Sequence, residues 1–219
     1  MLKRKEKIVL AGGGGHAKVI IDALRSSGEF EIDGITDSNL LRGTAVLGVK
    51  VIGTDDALSE AFAAGVKKAF IAVGSIGDYE PRKKIYALLK KIGFALPVIV
   101  HPKAVVAGDV LFGEGAFVAA GAVINPGTKI GKNAIINTRS SVDHDCVIGD
   151  FVHVAPGATL SGGVSVGEGT HIGTGASVTQ YIRIGKRCMV GAGTTLRHDM
   201  ETGSINYGDR ISAGKNEEK

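Results

Sequence analysis

His144 stands between two carboxylates, in the run Asp143-His144-Asp145. Imidazole is the side chain whose ordinary pKa lies nearest neutrality, so a histidine held by an adjacent acid can take a proton from an attacking nucleophile. A solvated turn histidine flanked by charges is the competing reading, and residue types alone leave both open. His153 and His171 lie 18 residues apart. As a pair they suggest a metal site, but no third ligand falls at that spacing, and no metal is expected. Cys146 and Cys188 are the only cysteines, too few for a disulfide framework or a four-thiolate centre, which favours a reducing cytoplasm. Near the start, Gly12, Gly14 and Ala17 fit G-x-G-x-x-A, and Asp37 follows 25 residues after the first of these glycines. Such a loop between a strand and a helix holds phosphate at the helix N-terminus and places an acid on a ribose.

These residues need a scaffold, and the chain offers two of different period. Its 219 residues are 44% hydrophobic and 22% charged, with 33 glycines and no tryptophan. That composition excludes a disordered chain, and the glycines lack collagen's strict placement at every third residue. No apolar run approaches the ~20 residues of a membrane span. The opening MLKRKEK carries the charge of a leader, but only IVLA follows before the glycines, so it reads as leading into a strand. Residues 1–99 carry 15 basic against 11 acidic groups and the remainder 11 against 11. An excess this small suits a small anionic ligand and not nucleic acid. Over residues 1–99, strands are predicted at Lys7–Ala11, Glu31–Thr36, Val49–Gly53 and Lys68–Val73. Helices are predicted over His16–Ser27, from an Asp55 cap through Ala64, and over Tyr79–Ile92. The alternation implies a small parallel sheet covered by helices, a Rossmann-like domain. With about a hundred residues and no second nucleotide-binding half, it suits a mononucleotide better than a dinucleotide. Arg82, Lys83 and Lys84 either add positive charge near a diphosphate or form a solvated helix start.

From Val100 the period becomes six. Steps of six from Val100 to Leu196 meet 17 residues, all apolar and 16 of them aliphatic. Small or modest side chains precede these anchors by two, as at Ala116, Ala134, Cys146 and Cys188, and glycine follows them at 113, 131, 149, 167, 173, 185 and 191. This is the hexapeptide signature of a parallel β-helix: each hexad is a short strand plus a corner, and three hexads close a coil. The anchors point into a narrow prism, which explains the missing tryptophan, and the following glycine is expected to supply the corner's unusual backbone angles. Both cysteines precede an anchor by two, so both should be core thiols and neither an acyl-accepting nucleophile. The pattern predicts domains at residues 1–99 and 100–205 with a C-terminal tail at 206–219, and leaves the handedness of the coil open.

The glycine loop GGGGHAK, the hexads and the segment DHDCVIGDFVHVAPGATLSGGVSVGEG (143–169) together resemble the hexapeptide-repeat sugar acetyltransferases. They are most similar to the UDP-4-amino-sugar N-acetyltransferases of bacillosamine biosynthesis and, more distantly, to sialic acid O-acetyltransferases. The resemblance covers almost the whole chain and implies a left-handed β-helix, acetyl-CoA as co-substrate and a homotrimer. It further implies His144 as general base, Asp145 as the acid that orients it, aspartate here where close relatives carry glutamate, and the Gly162 backbone N–H as oxyanion donor. His153 and Asn137 fall at positions near the acetyl-CoA site, and Gly14, His16, Asp37 and Gly74 at positions that hold the UDP of the sugar. The C-terminal Tyr207-Gly208-Asp209-Arg210-Ile211 departs from the family's G-x-P-A-[KR] ending. The implied activity is N-acetylation of a UDP-linked amino sugar, with O-acetylation of sialic acid or a related sugar as the alternative. A non-catalytic nucleotide-sugar sensor or scaffold would bind UDP without cleaving a thioester, and a nicotinamide-dependent oxidoreductase rests on the glycine loop alone.

Overall fold

The computed structural model describes residues 5–208, 211 and 212. The chain divides into two compact units, residues 1–75 with 80–102, and residues 76–79 with 103–219. The second unit thus begins three residues later than the change of period suggests, and it claims a short segment from within the first half.

The first unit runs β1 (Glu6–Ala11), α1 (Gly15–Ser27), β2 (Phe30–Thr36), β3 (Ala45–Val46), β4 (Val49–Gly53), α2 (Ala57–Ala63), β5 (Lys68–Ile71) and α3 (Glu80–Ile92). Its sheet has the order β3-β4-β2-β1-β5, parallel throughout except for the β3–β4 hairpin. β1 is an interior strand between β2 and β5, and Ile8, Val9, Leu10 and Ala11 are all fully buried, as a continuous apolar run covered on both faces requires. On one side Val9 joins Leu58, Ile71, Leu89 and Phe94 in a core cluster.

Two local expectations are corrected. Asp55 does not cap α2: the cap position is Asp56, without a side-chain bond, and the Asp55 carboxylate accepts instead from the Thr36 hydroxyl at 3.1 Å. Strand β3 has no counterpart among the predicted elements. Its turn, Leu47-Gly48, has φ of 45° and 77°, the left-handed pair of a two-residue hairpin, with leucine standing where asparagine or glycine usually signals the turn.

The second unit is a left-handed β-helix of hexapeptide repeats. Its first wall stacks Val105–Val106, Val123–Ile124, Ser141–Val142, Thr159–Leu160, Ser177–Val178 and Thr195–Leu196. The second stacks Leu111–Phe112, Lys129–Ile130, Val147–Ile148, Ser165–Val166 and Arg183–Ile184. The third passes through Phe117–Val118, Ile135–Ile136, His153–Val154, His171–Ile172 and Met189–Val190 to Ile205–Asn206, on which Ile211–Ser212 pairs antiparallel. Register partners such as Ser141 and Thr159, or His153 and His171, differ by 18 residues, one coil. From Val118 onward every sixth-residue anchor is buried, as are Ala116, Ala134, Cys146 and Cys188. The expected tail at 206–219 falls largely outside the described residues, and its first part continues the third wall.

The glycines that follow the anchors do a different job from the one expected. None of them has positive φ; the left-handed corner residues lie three after the anchor, at Gly115, Gly121, Gly127, Gly157, Gly163, Gly169, Gly175 and Gly193 and at Asn133, Arg139, Asp145, Phe151, Tyr181 and Arg187. A Cβ on Gly113, Gly131, Gly167 or Gly173 would instead lie 2.5–2.7 Å from backbone atoms of the next coil. Those positions need glycine because two chains touch there. Gly131→Ala should therefore lose about 1–3 kcal/mol of stability through overpacking. Gly157→Asn, at a φ of 68° with open space around it, should lose less than about 1 kcal/mol. Urea unfolding of both variants separates the two causes, and equal losses would erase the distinction.

Candidate active site

In the first unit the chain leaves β1 toward β2 on one side and toward β5 on the other, which opens a crevice at the carboxyl ends of the strands. A pocket of about 320 Å³ lies there, and Gly14, His16, Asp37 and Gly74 are among its lining residues. The four loop glycines have separate reasons. Gly12 has a φ of 108°, and a Cβ on it would meet Val73 at 2.5 Å. Gly13 passes close to Leu40, and its N–H donates to Asp37 Oδ2 at 2.7 Å. Gly14 and Gly15 have nothing within 4 Å of a Cβ; they face open space at the start of α1, where no acidic residue occupies the first turn. The other Asp37 oxygen accepts from the N–H groups of Asn39 and Leu40 at 2.8 and 3.1 Å. Asp37 therefore ties the glycine loop to the turn after β2, a positioning role that spacing does not reveal. Arg82 is neither a solvated helix start nor a pocket residue. It is 2% exposed, its Nη1 donates to Ser75 Oγ at 3.2 Å, and burial lowers its pKa to about 10.

In the second unit His144 occupies the corner that follows the first wall. Its Nδ1 pairs with Asp145 Oδ2 at 2.8 Å. The shorter acid reaches because Asp145 sits in the left-handed conformation, with a φ of 58°, on the turn beside the ring. Asp145 raises the imidazole pKa above its ordinary value, partial burial opposes this, and the nearby Asp143 charge reinforces it. Asp143 is held separately, since its Oδ1 accepts from Asn125 Nδ2 at 2.7 Å and from the His144 N–H at 2.8 Å. Both bonds hold its carboxyl below the usual range, the Asn125 bond first. Asn125 is not marked out by local sequence, although it precedes Asp143 by one coil.

Nδ1 is engaged, and the other ring nitrogen, Nε2, lies over Gly162: a Cβ there would stand 2.5 Å from His144 Nε2. Glycine is thus required for the ring to lie where it does. The Gly163 N–H donates to the His144 carbonyl at 2.9 Å, while the Gly162 N–H has no partner among the described residues. Cys146, one position beyond Asp145, is fully buried; its thiol donates to the Ser161 carbonyl at 3.3 Å, and burial raises its pKa. A thiol so held is a core group and not a nucleophile.

Asn137 and His153 form a second cluster. The Asn137 Oδ1 accepts from the Thr138 N–H at 2.8 Å, which turns Nδ2 toward His153 Nε2 at 3.0 Å. His153 then accepts at Nε2 and keeps its proton on Nδ1. His171 stacks edge-on against it, ring centroids 4.8 Å apart, and burial lowers its pKa. Asn137 follows a third-wall strand and His144 a first-wall strand, so one chain places these clusters on different edges of the prism. Among the described residues no group of three histidine, cysteine or acidic side chains could hold a metal ion, and no helix is long and apolar enough to cross a membrane.

Comparison with known proteins finds matches in both units. Residues 7–89 match the PglD N-terminal domain, and residues 127–162 match the bacterial transferase hexapeptide (six repeats). The chain is similar to PerB from Caulobacter crescentus, solved with CoA and GDP-perosamine, at 42% identity and a TM-score of 0.87, covering 94% of this chain and 97% of that one. It is also similar to the acetyltransferase domain of PglB from Neisseria gonorrhoeae in complex with acetyl coenzyme A, at 34% identity and a TM-score of 0.87, covering 96% and 100%. WeeI from Acinetobacter baumannii is 27% identical with a TM-score of 0.82, covering 95% and 99%.

Because Asp145 is the largest cause of the raised imidazole pKa, Asp145→Asn should bring the His144 titration down toward the ordinary histidine value. Proton NMR of the ring from mildly acidic to mildly basic pH checks this, and an unmoved titration would refute the pairing.

Proposed function

The chain belongs to the hexapeptide-repeat sugar N-acetyltransferases that use acetyl-CoA, and from that premise we propose that it acetylates the amine of a nucleotide-linked amino sugar with His144 as general base. The observation that carries this is the corner itself: Nδ1 held by Asp145 at 2.8 Å and Nε2 lying over Gly162. As the amine attacks the thioester carbonyl, Nε2 takes its proton, and Asp145 supports the imidazolium that forms. The tetrahedral intermediate's oxygen is stabilised by the unpartnered Gly162 N–H. Collapse expels CoA as thiolate, and the proton on His144 returns to it. The buried, hydrogen-bonded state of Cys146 supports direct transfer without an acyl-enzyme.

The glycine loop of the first unit holds the nucleotide's diphosphate at the start of α1, with Gly14 and His16 beside it and Asp37 and Gly74 shaping the pocket. A UDP-linked 4-amino sugar is the reading carried by the sequence resemblance. A GDP-linked one is the second, favoured because the relative at 42% identity was solved with GDP-perosamine. The active unit is a homotrimer. What supports it is the separation of the two clusters on one chain, since a neighbouring copy can set an Asn137–His153 wall against a His144 edge, where acetyl-CoA lies between them. Exposed Leu111 and Val147 on the second wall are apolar surface for such packing. Acetyl-CoA and nucleotide sugars are cytoplasmic metabolites, and the free thiols Cys146 and Cys188 suit that reducing compartment.

His144→Ala should lower kcat/KM by about 10²–10⁴-fold without changing the unfolding midpoint. The assay follows CoA release against a panel of UDP- and GDP-linked amino sugars and sialic acid, with the acetyl position fixed by mass spectrometry. Near-normal turnover by the variant would sink the mechanism, and acetylation of sialic acid alone would replace the amine acceptor by a hydroxyl.

A further inference from the structure

Gly162 and Gly163 carry two rings. His144, from the coil before, lies over Gly162, and Tyr181, from the coil after, lies over Gly163: a Cβ on Gly163 would stand 2.5 Å from Tyr181 Cδ1 and 2.7 Å from Cε1. The backbone joins the same three places, since the Tyr181 N–H donates to the Gly162 carbonyl at 3.0 Å and the Gly163 N–H to the His144 carbonyl at 2.9 Å.

Tyr181 is held there against its own preference. It occupies a left-handed corner, φ 61°, where a bulky side chain is an outlier that packing or function must offset. The other aromatic residue at such a corner, Phe151, has an evident packing reason. It is 6% exposed and its ring lies 5.8 Å from that of Tyr79. Tyr181 has none of this: it is 72% exposed, and its hydroxyl meets no protein partner among the described residues. Glycine fills the equivalent position one coil before, at Gly163, and two coils before that, at Gly127.

Building on the proposed reaction, we infer that the Tyr181 ring is the platform on which the acceptor's hexose ring stacks while its amine meets His144. The amine must reach Nε2, over Gly162, and the hexose ring lies one C–N bond from that amine. A sugar's C–H face pairs with an aromatic face in water. The amide-rich arm of CoA needs hydrogen-bond partners, which the ring face lacks. Tyr181 therefore sets specificity for the acceptor and not for the acyl donor.

The test uses the full-length enzyme and whichever of GDP-perosamine or a UDP-4-amino sugar it turns over. Tyr181→Ala should raise the acceptor KM about 10-fold, the loss of roughly one ring-stacking contact, with the acetyl-CoA KM unchanged. Tyr181→Phe should stay within about two-fold of wild type on both, since it retains the stacking face. Tyr181→Gly should raise the acceptor KM in the same way without lowering the thermal midpoint, because the left-handed corner is relieved. An unchanged acceptor KM, a raised acetyl-CoA KM, or a lower thermal midpoint with a smaller oligomer by light scattering would each overturn the inference, the last by making Tyr181 a packing residue. His144→Ala in the same assay keeps the two readings apart: if that variant is active the base assignment fails, whatever Tyr181 does.

Discussion

The spacing between successive coils governs the second unit. Each coil bonds to the next with an 18-residue register, and neighbouring strands in a ladder sit about 4.8 Å apart. Where the backbone of one corner closes on that of the next, no room is left for a Cβ. After the second wall the position following each anchor is glycine without exception from 113 to 185: Gly113, Gly131, Gly149, Gly167 and Gly185. After the first wall the same position holds Ala107, Asn125, Asp143, Ser161 and Thr179. The edge that relaxes the glycine requirement is the edge that carries Asn125, Asp143, His144 and Asp145. The corner after the second wall is packed backbone to backbone, and the corner after the first wall leaves room for polar side chains.

The geometry of the His144 corner follows from that difference. Asp143, no longer a glycine, can reach down one coil to Asn125 and sideways to the His144 N–H. Asp145 takes the left-handed turn, which brings a short carboxylate against Nδ1. Gly162, two positions after its anchor, does for a side chain what Gly131 does for backbone: it vacates the volume that the imidazole fills. One residue type meets three different demands here, a turn angle, a backbone contact and a ring.

The hexad anchors make the β-helix legible in the sequence, because an apolar residue at every sixth place has one geometric meaning. The sheet of the first unit is legible for a similar reason, with IVLA and the helical spacings fixing strand and helix in turn. What stays hidden is whatever depends on pairs distant in sequence but adjacent in space. Asn125 carries no local signal, and only the 18-residue offset sets it beside Asp143. Asp37 has the spacing of a ribose-binding acid, yet three backbone N–H groups claim its oxygens, so its first effect is on the shape of the loop. Asp55 has the look of a helix cap, but the Thr36 hydroxyl competes for the same carboxylate. The strand Ala45–Val46 is concealed by Leu47, whose left-handed turn no local rule anticipates.

Three histidines of the β-helix, His144, His153 and His171, show why a residue type alone cannot be assigned a role. His171 is 8% exposed with no acid beside it, and burial favours its neutral form. His153 is as deeply placed, but Asn137 donates to its Nε2 and so selects its tautomer. His144, with its side chain 53% exposed and a carboxylate at 2.8 Å, is the one whose charged form is favoured. A base must be neutral to accept a proton and must tolerate the charge once it has it, so it needs an acid at one nitrogen and open space at the other. Of these three sites only the corner after the first wall supplies both. The wall positions hold a buried imidazole against its neighbour one coil away, with centroids 4.8 Å apart. The surroundings of identical side chains are therefore set by whether the coil presents them on a flat face or at a turn.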